Sequence, residues 1–478
     1  MRRATFCVLV ALLLLPTAAS AQQPPPPVVP NPQAPTLNVP APVGIQRGTR
    51  LELTLTGTNL TDPTGLWTSF PAKVTIPTDN NNGKNPASLK VVLEVAADAP
   101  LGFGAIRLAT ARGMSNLRPF CIDDLPQVIE VDTNRSKTTA QAITPPCVVV
   151  GRADAEVNDY FKFTAKAGQR LSFDLLGRRL GSAFDPQIYL YDARTGKELP
   201  GSYSNDSPGA QTDPRLSYTF KEDGEYLVEV RDLMYRGGPD FYYRLRIGDF
   251  PLASTPVPLA ARRGSKVKVD FAGPMTTGTP PVEVAVPADP AVESVWVTPR
   301  SPAGVSGWPV PLAVGDLDEA VATGPNDELG TANRVAVPGA ITGRFLAKGE
   351  SDHFVFPAKK GQRLILEAHT MELYSPTEVD MLLLDAKGAQ VAALNLAGPP
   401  RLDFTAQADG DYTLVVKHLH GWGSPEEAYR ITITPYKPGF ALRVPLDRWD
   451  AAQGGFVTIP IVLAARRDYT GPIEVSVV

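Results

Sequence analysis

The chain of 478 residues carries 46 Lys and Arg against 50 Asp and Glu, giving a formal net charge of −4, and it contains no basic block. This balance argues against a nucleic-acid partner and against an electrostatically held membrane surface, because both depend on clustered cations. The 48 prolines and 40 glycines accompany 43% hydrophobic residues, which excludes a disordered chain and favours several small β-domains joined by turns.

The first 21 residues have the three parts of a secretory signal peptide. Arg2 and Arg3 precede the apolar run 6–15, and small residues at 19–21 provide a cleavage site. The alternative is a membrane anchor, but this run is shorter than the roughly 20 apolar residues that span a bilayer, and no later segment is long enough. We therefore expect a secreted, cell-surface or periplasmic protein without a transmembrane segment. The proline-rich residues 22–38 are predicted to form a stiff linker.

Residues 39–125 are predicted to form the first folded domain. Its segment 48–60 is predicted as a strand with Leu51, Leu53 and Leu55 on one face, and it is similar to the first strand of TIG-type immunoglobulin-like domains. A related strand at 264–273 predicts a second Ig-like segment over 250–316. Another, from residue 455, predicts the start of a third over 438–478. We expect this last domain to be incomplete, because about 40 residues rarely bury a core.

An internal repeat with a period near 192 residues relates residues 126–249 to residues 317–437. We call these two segments the first copy and the second copy. Ordered matches run through both, among them Asn134 with Asn326, Asp159–Phe163 with Asp352–Phe356, Gly168–Leu171 with Gly361–Leu364, Asp223–Tyr226 with Asp409–Tyr412, and Tyr243-Arg244 with Tyr429-Arg430. The first copy has an insertion around 194–213, which we predict to be a longer loop.

The predicted strands of both copies alternate between apolar and polar residues. In the first copy Tyr226, Val228 and Val230 alternate with Glu229 and Arg231. No stretch shows the sustained 3.6-residue apolar pattern of a helix. A sheet with one buried and one solvent-exposed face is typical of an antiparallel sandwich. The predicted fold class is therefore all-β, a tandem series of antiparallel β-sandwiches.

The order of these motifs resembles the bacterial pre-peptidase C-terminal (PPC) domain in both copies, over about half of the chain. The resemblance rests on five motifs in a fixed order: D-x-F-x-F, G-Q-R-L, a strand ending in Asp, a strand that begins with DG-E/D-Y, and a final strand that contains Tyr-Arg. The resemblance implies jelly-roll-like β-sandwiches in a secreted bacterial protein. There such domains stand beside a protease or serve as a substrate-binding appendage.

The sequence offers no catalytic constellation. Its four histidines, His353, His369, His418 and His420, all lie in the second copy, and no known nucleophile, zinc-protease or phosphate-loop motif is present. We therefore predict that the chain is not an enzyme. His418 and His420, two residues apart, could hold zinc or copper, but two surface histidines at a strand end are the simpler interpretation.

Calcium is the better metal hypothesis, because the resemblance extends to PPC domains that bind calcium near their N-terminal linker. Calcium needs six to eight oxygen ligands. The candidate ligands in the first copy are Glu130, Asp132 and Asn134 of the linker and Asp206 and Asp213 of the long loop, beside Asn205. The alternative is that these residues cap turns in solvent.

Cys121 and Cys147 remain after signal cleavage. In an oxidising compartment this pair is predicted to form a disulfide, with two separate buried thiols as the alternative.

Aromatic residues of the first copy could form a ligand-binding face or belong to its core. They fall into two groups, Tyr189, Tyr191, Tyr203 and Tyr218, and Tyr235, Phe241, Tyr242 and Tyr243.

The sequence thus favours a secreted, non-catalytic binding or adhesion protein that recognises an extracellular polysaccharide or protein. Two alternatives remain open: the accessory region of a larger secreted protease or hydrolase, and a structural envelope spacer.

Overall fold

The computed structural model describes residues 33–445, 449 and 457–476. The predicted signal peptide and residues 22–32 of the predicted linker lie outside the described residues. Within the described residues, helical structure is limited to three 3-10 turns at Arg178–Leu180, Leu329–Thr331 and Met371–Leu373, and the remaining regular structure is β. The all-β prediction is confirmed. No helix in the described part is long and apolar enough to cross a membrane.

The N-terminal segment is a sandwich of two sheets around one apolar core. One sheet has the order β1-β3-β6-β5 and the other β2-β9-β7-β4, with β8 pairing β7. The predicted alternation of Leu51, Leu53 and Leu55 is present in β3, where Leu53 and Leu55 are buried. The strands are β1 Thr36–Leu37, β2 Gly44–Gln46, β3 Arg50–Thr58, β4 Pro63–Thr68, β5 Ala72–Thr75, β6 Ser88–Val95, β7 Gly102–Thr110, β8 Gly113–Met114 and β9 Arg118–Asp123.

The first copy is also a two-sheet sandwich. Its sheets have the orders β10-β12-β18-β14-β16 and β11-β13-β17-β15, and side chains such as Phe161, Phe173 and Val228 fill the space between them. Residues 193–214 connect β15 to β16, which confirms the predicted long loop. The strands are β10 Gln127–Ile129, β11 Gln141–Ala142, β12 Cys147–Arg152, β13 Asp159–Ala165, β14 Arg170–Leu176, β15 Pro186–Asp192, β16 Arg215–Thr219, β17 Gly224–Asp232 and β18 Tyr242–Gly248.

The middle segment has two three-stranded sheets, β19-β21-β22 and β20-β24-β23, around a smaller core. The strands are β19 Thr255–Val257, β20 Ala260–Arg262, β21 Lys266–Ala272, β22 Val282–Ala285, β23 Ser294–Val297 and β24 Val310–Gly315. The assignment of this segment and of the N-terminal segment as Ig-like stays a prediction.

The second copy repeats the strand order of the first. Its sheets are β25-β27-β34-β29-β32 and β26-β28-β33-β30-β31, so that only β31 has no counterpart. The sequence repeat therefore corresponds to a repeated topology. The strands are β25 Glu319–Val321, β26 Asn333–Arg334, β27 Gly339–Arg344, β28 Ser351–Ala358, β29 Arg363–His369, β30 Val379–Leu384, β31 Gln390–Ala393, β32 Arg401–Thr405, β33 Gly410–His418 and β34 Ala428–Pro435.

Residues from 438 onward belong to a separate compact unit. In its described part β35 Gly439–Arg443 pairs antiparallel with β36 Val462–Arg467, and apolar side chains such as Phe440 and Ile461 are exposed.

A buried charge cluster joins the first three segments. Asp123 at the end of β9 accepts a hydrogen bond from Arg246 Nε at 2.9 Å and lies 3.6 Å from Arg244 Nη2. Arg246 also donates to the carbonyl of Ser306 at 2.8 Å, and both arginines are almost fully buried. Burial opposes ionisation of Asp123, but the two guanidinium groups hold its pKa below the ordinary value. The N-terminal and middle segments are thus anchored to β18 of the first copy.

Candidate binding face

The outer surface of one sheet in the first copy carries a group of tyrosines around an arginine. Successive side chains of a strand point to opposite faces. Ile188 and Leu190 of β15 therefore enter the core, as do Val228 and Val230 of β17. The intervening positions of β15 and β17 point outward, and loop residues extend the surface. We define the tyrosine face by the outward residues Gln187, Tyr189, Tyr191, Glu229 and Arg231 together with the loop residues Tyr203 and Tyr235.

Two tyrosine rings of this face lie against the Arg231 guanidinium, and a third packs against one of them. The guanidinium lies 4.5 Å from the ring centre of Tyr235 and 5.4 Å from that of Tyr189, within the range of cation–π attraction. Arg231 Nη2 also donates to the Tyr189 hydroxyl at 3.2 Å. The rings of Tyr189 and Tyr203 lie 4.8 Å apart. Tyr203 and Tyr235 are 43% and 46% exposed, so large parts of both rings are open to a ligand.

Hydrogen-bonding groups beneath the rings hold the tyrosine face in place. Gln187, itself buried, donates to the Tyr203 hydroxyl at 3.0 Å. Glu229 accepts from Asn158 at 3.2 Å and lies 3.5 Å from Arg231 Nε. Because these groups have partners inside the protein, the rings above them are fixed before any ligand arrives.

One edge of the face is closed by a lysine. Lys137 Nζ sits 3.4 Å from the ring centre of Tyr191 and donates to the carbonyl of Gly196 at 2.9 Å. Burial, with the nearby Glu229 carboxylate, raises the pKa of Tyr191. The Tyr191 hydroxyl therefore stays protonated at physiological pH.

Tyr235 has a left-handed backbone, with φ of 55°, a conformation that costs a residue with a β-carbon roughly 1–2 kcal/mol. The second copy makes the same turn: the N–H of Tyr235 donates to the Asp232 carbonyl and that of Gly421 to the His418 carbonyl, both at 3.0 Å. Gly421, with φ of 66°, occupies this position without strain. The first copy thus keeps a tyrosine where the fold alone favours glycine. A strained, exposed residue of this kind is a candidate for a functional role.

The other aromatic residues considered in the sequence belong to the interior. Tyr243 is fully buried and Tyr242 nearly so, while Tyr218 and Phe241 pack against the core. The tyrosine face is also specific to the first copy. At the matching outward positions of β30 the second copy has Leu382 and Leu384.

The five predicted calcium ligands do not converge on one site. Asp213 accepts from the backbone N–H groups of Gly177, Arg178 and Arg179 at 3.0, 2.6 and 3.1 Å and from Arg179 Nε at 2.8 Å, so donors surround its carboxylate. It caps the 178–180 turn, but it is buried, whereas the alternative interpretation placed it in solvent. Asp206 is exposed.

The linker residues form a separate cluster that already contains a cation. Glu130 accepts from Asn134 Nδ2 at 3.1 Å and from the N–H of Arg152 at 2.8 Å. The Arg135 guanidinium contacts Asp154 and Asp159 at 2.6 Å each and lies 3.9 Å from the exposed Asp132. Burial and the Glu130 carboxylate raise the pKa of Asp159. The residues present therefore fit an internal ion-pair cluster better than a calcium site, and no group of three or more metal-ligating His, Cys, Asp or Glu side chains occurs among the described residues.

The predicted disulfide is not formed. Both cysteines are buried free thiols. Cys121 packs at the junction with Val43, Leu176 and Trp308, whereas Cys147 lies in the core of the first copy. Different apolar clusters enclose the two side chains, and burial raises the pKa of each thiol to about 12.

Three of the four histidines pair with carboxylates of the second copy. His418 Nε2 lies 3.2 Å from Glu427 and His420 Nε2 lies 2.9 Å from Glu378, while His369 Nδ1 lies 2.8 Å from Glu372. His418 and His420 thus face different carboxylates and do not share a common ligand position.

Comparison with known protein families identifies a match within the first copy. Residues 157–232 match the family model of the bacterial pre-peptidase C-terminal domain. The chain contains a PPC domain. The match ends at Asp232, so the PPC segment includes β13 to β17 and with them every strand residue of the tyrosine face.

Solved structures similar to the chain are distant from it. The pre-peptidase C-terminal domain of a collagenase from Bacillus anthracis is 14% identical, with 23% of this chain and 93% of that chain covered and a TM-score of 0.19. The SGBP-B protein of a mixed-linkage glucan utilization locus in Bacteroides ovatus is 11% identical over 82% of this chain and 73% of that chain, with a TM-score of 0.16. The secreted serine protease VesC from Vibrio cholerae is 10% identical over 46% of this chain and 50% of that chain, also with a TM-score of 0.16. No curated protein sequence matches the chain.

Proposed function

We propose that this protein is a secreted, non-catalytic binding protein that holds an extracellular polysaccharide on the tyrosine face of its PPC domain. The single observation that supports this most is the pre-arranged set of aromatic rings, with Tyr189 and Tyr235 against Arg231 and Tyr203 packed on Tyr189. Aromatic rings offer flat apolar surfaces to the C–H faces of sugar rings. The phenol hydroxyls and the guanidinium offer hydrogen bonds to sugar hydroxyls.

The comparison between the two copies supports the same proposal. Both have the same strand order, so the fold does not require the tyrosine face. At the positions of Tyr189 and Tyr191 the second copy has leucines, and at the position of Tyr235 it has Gly421. A face that stability does not need is best explained by a ligand.

The test is retention of the purified chain on insoluble cellulose, chitin and xylan, with fibrillar collagen as the protein surface. We expect the double variant Tyr189→Ala/Tyr203→Ala to bind at least about tenfold more weakly to the retained polysaccharide, because interface aromatics are typical hot spots. Trp67→Ala, which removes an exposed aromatic residue of the N-terminal segment, is the control and should bind as the natural chain does.

Equal retention of the double variant and the natural chain would refute a role for the tyrosine face. Retention on collagen alone would keep the face but replace polysaccharide by protein as its ligand.

The PPC match also favours a second candidate, in which the chain is the accessory region of a secreted hydrolase. The two proposals share the binding face and differ in what the chain is attached to. Co-purification of a hydrolase activity with the native protein from its culture medium would favour the accessory role.

A further inference from the structure

An exposed tryptophan of the second copy lies in a loop beside two histidines and a carboxylate. The loop follows β33, and Trp422 is 58% exposed. Its ring centre lies 5.1 Å from that of His420 and 5.5 Å from that of His418. We call Trp422, His418, His420 and Glu378 the Trp422 platform.

Each imidazole of the Trp422 platform is held by a partner of its own. His418 is buried; its Nε2 lies 3.2 Å from Glu427 and its Nδ1 accepts the N–H of His420 at 3.0 Å. His420 Nε2 lies 2.9 Å from Glu378 Oε2, and both of these side chains are more than 40% exposed. The indole therefore lies against a fixed support while much of its surface faces solvent.

The loop itself does not need a tryptophan. The first copy has the same loop: Gly237 and Gly423 each fit so closely against a neighbouring backbone, at Asp154 and at Ala347, that a β-carbon would clash. At the position of Trp422 the first copy has Arg236, which folds back onto Asp232 with contacts of 3.0 and 3.1 Å. In the first copy the side chain at this position is thus paired with a carboxylate of its own loop. In the second copy the corresponding Trp422 exposes a large aromatic surface to solvent.

We propose that the Trp422 platform is a second sugar-binding site, which takes an uncharged hexose ring of a polysaccharide. The indole would stack on the C–H face of the ring, and Glu378 and His420 would hydrogen-bond its hydroxyls. A neutral sugar is favoured because the exposed Glu378 carboxylate at the site would repel an anionic polymer. This site differs from the tyrosine face in residues, in charge and in the copy that carries it.

Two different sites on one chain would increase retention on a repetitive polymer, since the second binding event becomes intramolecular once the first has occurred. The proposal nevertheless stands by itself, because the Trp422 platform can bind a sugar whether or not the tyrosine face does.

The experiment measures retention of the full chain on cellulose, chitin and mannan and the tryptophan fluorescence change with the matching oligosaccharides. We expect Trp422→Ala to weaken binding to the retained polysaccharide about tenfold and to remove most of the fluorescence change. Glu378→Ala should weaken binding less. The matched control is Trp67→Ala, which removes a tryptophan of the N-terminal segment that is 47% exposed, and it should bind as the natural chain does.

Three results would overturn the proposal: no retention of the natural chain on any neutral polysaccharide, unchanged binding of Trp422→Ala, or equal loss in Trp67→Ala. Melting temperatures of the variants separate loss of binding from loss of fold. If Tyr189→Ala/Tyr203→Ala loses binding while Trp422→Ala keeps it, the proposed function of the tyrosine face is supported and the proposal for the Trp422 platform is refuted. If Trp422→Ala loses binding while the double variant keeps it, the Trp422 platform is supported and the tyrosine face is refuted.

Discussion

At the scale of single residues, Asp352 is the clearest source of pH-dependent stability. Its carboxyl is buried and accepts a hydrogen bond from the Tyr429 hydroxyl. Burial, with the repulsion of Glu350, raises the pKa of Asp352 to about 6. In an unfolded chain an aspartate has a pKa of about 3.9. Between these values the folded state keeps a proton that the unfolded state has lost, so the free energy of unfolding falls as pH rises through this window.

We expect the Asp352→Asn variant to avoid this loss. The difference in free energy of unfolding between this variant and the natural chain should be about 2 kcal/mol more in favour of the variant at pH 7.5 than at pH 4.5. At pH 4.5 an unfolded aspartate is already largely ionised, and each pKa unit corresponds to about 1.4 kcal/mol. Calorimetric melts at both pH values measure the difference, and Asp270→Asn, at an exposed position, is the control. Equal shifts in melting temperature at the two pH values would contradict the prediction.

Sequence reasoning found some of these buried residues but not their roles. The repeat paired Asp159 with Asp352 and Tyr243 with Tyr429, and in the structure each tyrosine donates to the aspartate of its own copy. Asp213 was predicted as a metal ligand because loop carboxylates often are. Its actual donors lie 34 to 36 residues away at the 178–180 turn, a separation that no local pattern indicates.

At the scale of elements, the contact between β9 and β18 depends on Asp123. Removing this carboxylate leaves the buried guanidinium groups of Arg244 and Arg246 without their anion. We expect Asp123→Ala to lower the free energy of unfolding by about 3–5 kcal/mol, the usual effect of breaking a buried ion pair.

The control for Asp123 is an exposed ion pair of the same segment. Lys84→Ala breaks the contact of 3.1 Å between Asp62 and Lys84, which should change stability by less than about 1 kcal/mol. Denaturant unfolding of the two variants gives the comparison. Similar small effects in both variants would show that the buried charge cluster around Asp123 does not stabilise the protein.

The linker before β11 yields a prediction about calcium. Because Arg135 already neutralises Asp154 and Asp159, calcium or a chelator should move the melting temperature of the natural chain by less than about 1 °C. Arg135→Ala removes the internal cation, and we expect only this variant to be stabilised by calcium. Saturable calcium binding to the natural chain in a calorimetric titration would contradict the expectation.

At the scale of the whole molecule, the two copies show how one fold can carry different surfaces. The alternation of apolar and polar residues along the strands predicted the core of both copies. The same alternation predicts that Tyr189 and Tyr191 lie outside the core. Their neighbours Ile188 and Leu190 point inward, so the tyrosines must point outward. The same rule places Gln187, Glu229 and Arg231 on the tyrosine face, although sequence reasoning did not select them.

Loop residues were harder to predict. Tyr203 and Tyr235 reach the tyrosine face only because their loops fold back over β15 and β17, and Trp422 is exposed only because its loop turns at Gly421. These positions depend on tertiary contacts between distant segments. The disulfide prediction failed for the same reason, because spacing along the chain does not say which cluster encloses each thiol.

The measurement that tests the central claim most directly is the effect of Tyr235→Gly on binding and on stability in the same preparation. Glycine is the residue that the second copy has at this left-handed position, so the exchange relieves the backbone while it removes the ring. The proposed function predicts polysaccharide binding about tenfold weaker, with a free energy of unfolding changed by less than about 1 kcal/mol. Unchanged binding, or binding lost only together with a large loss of stability, would contradict it.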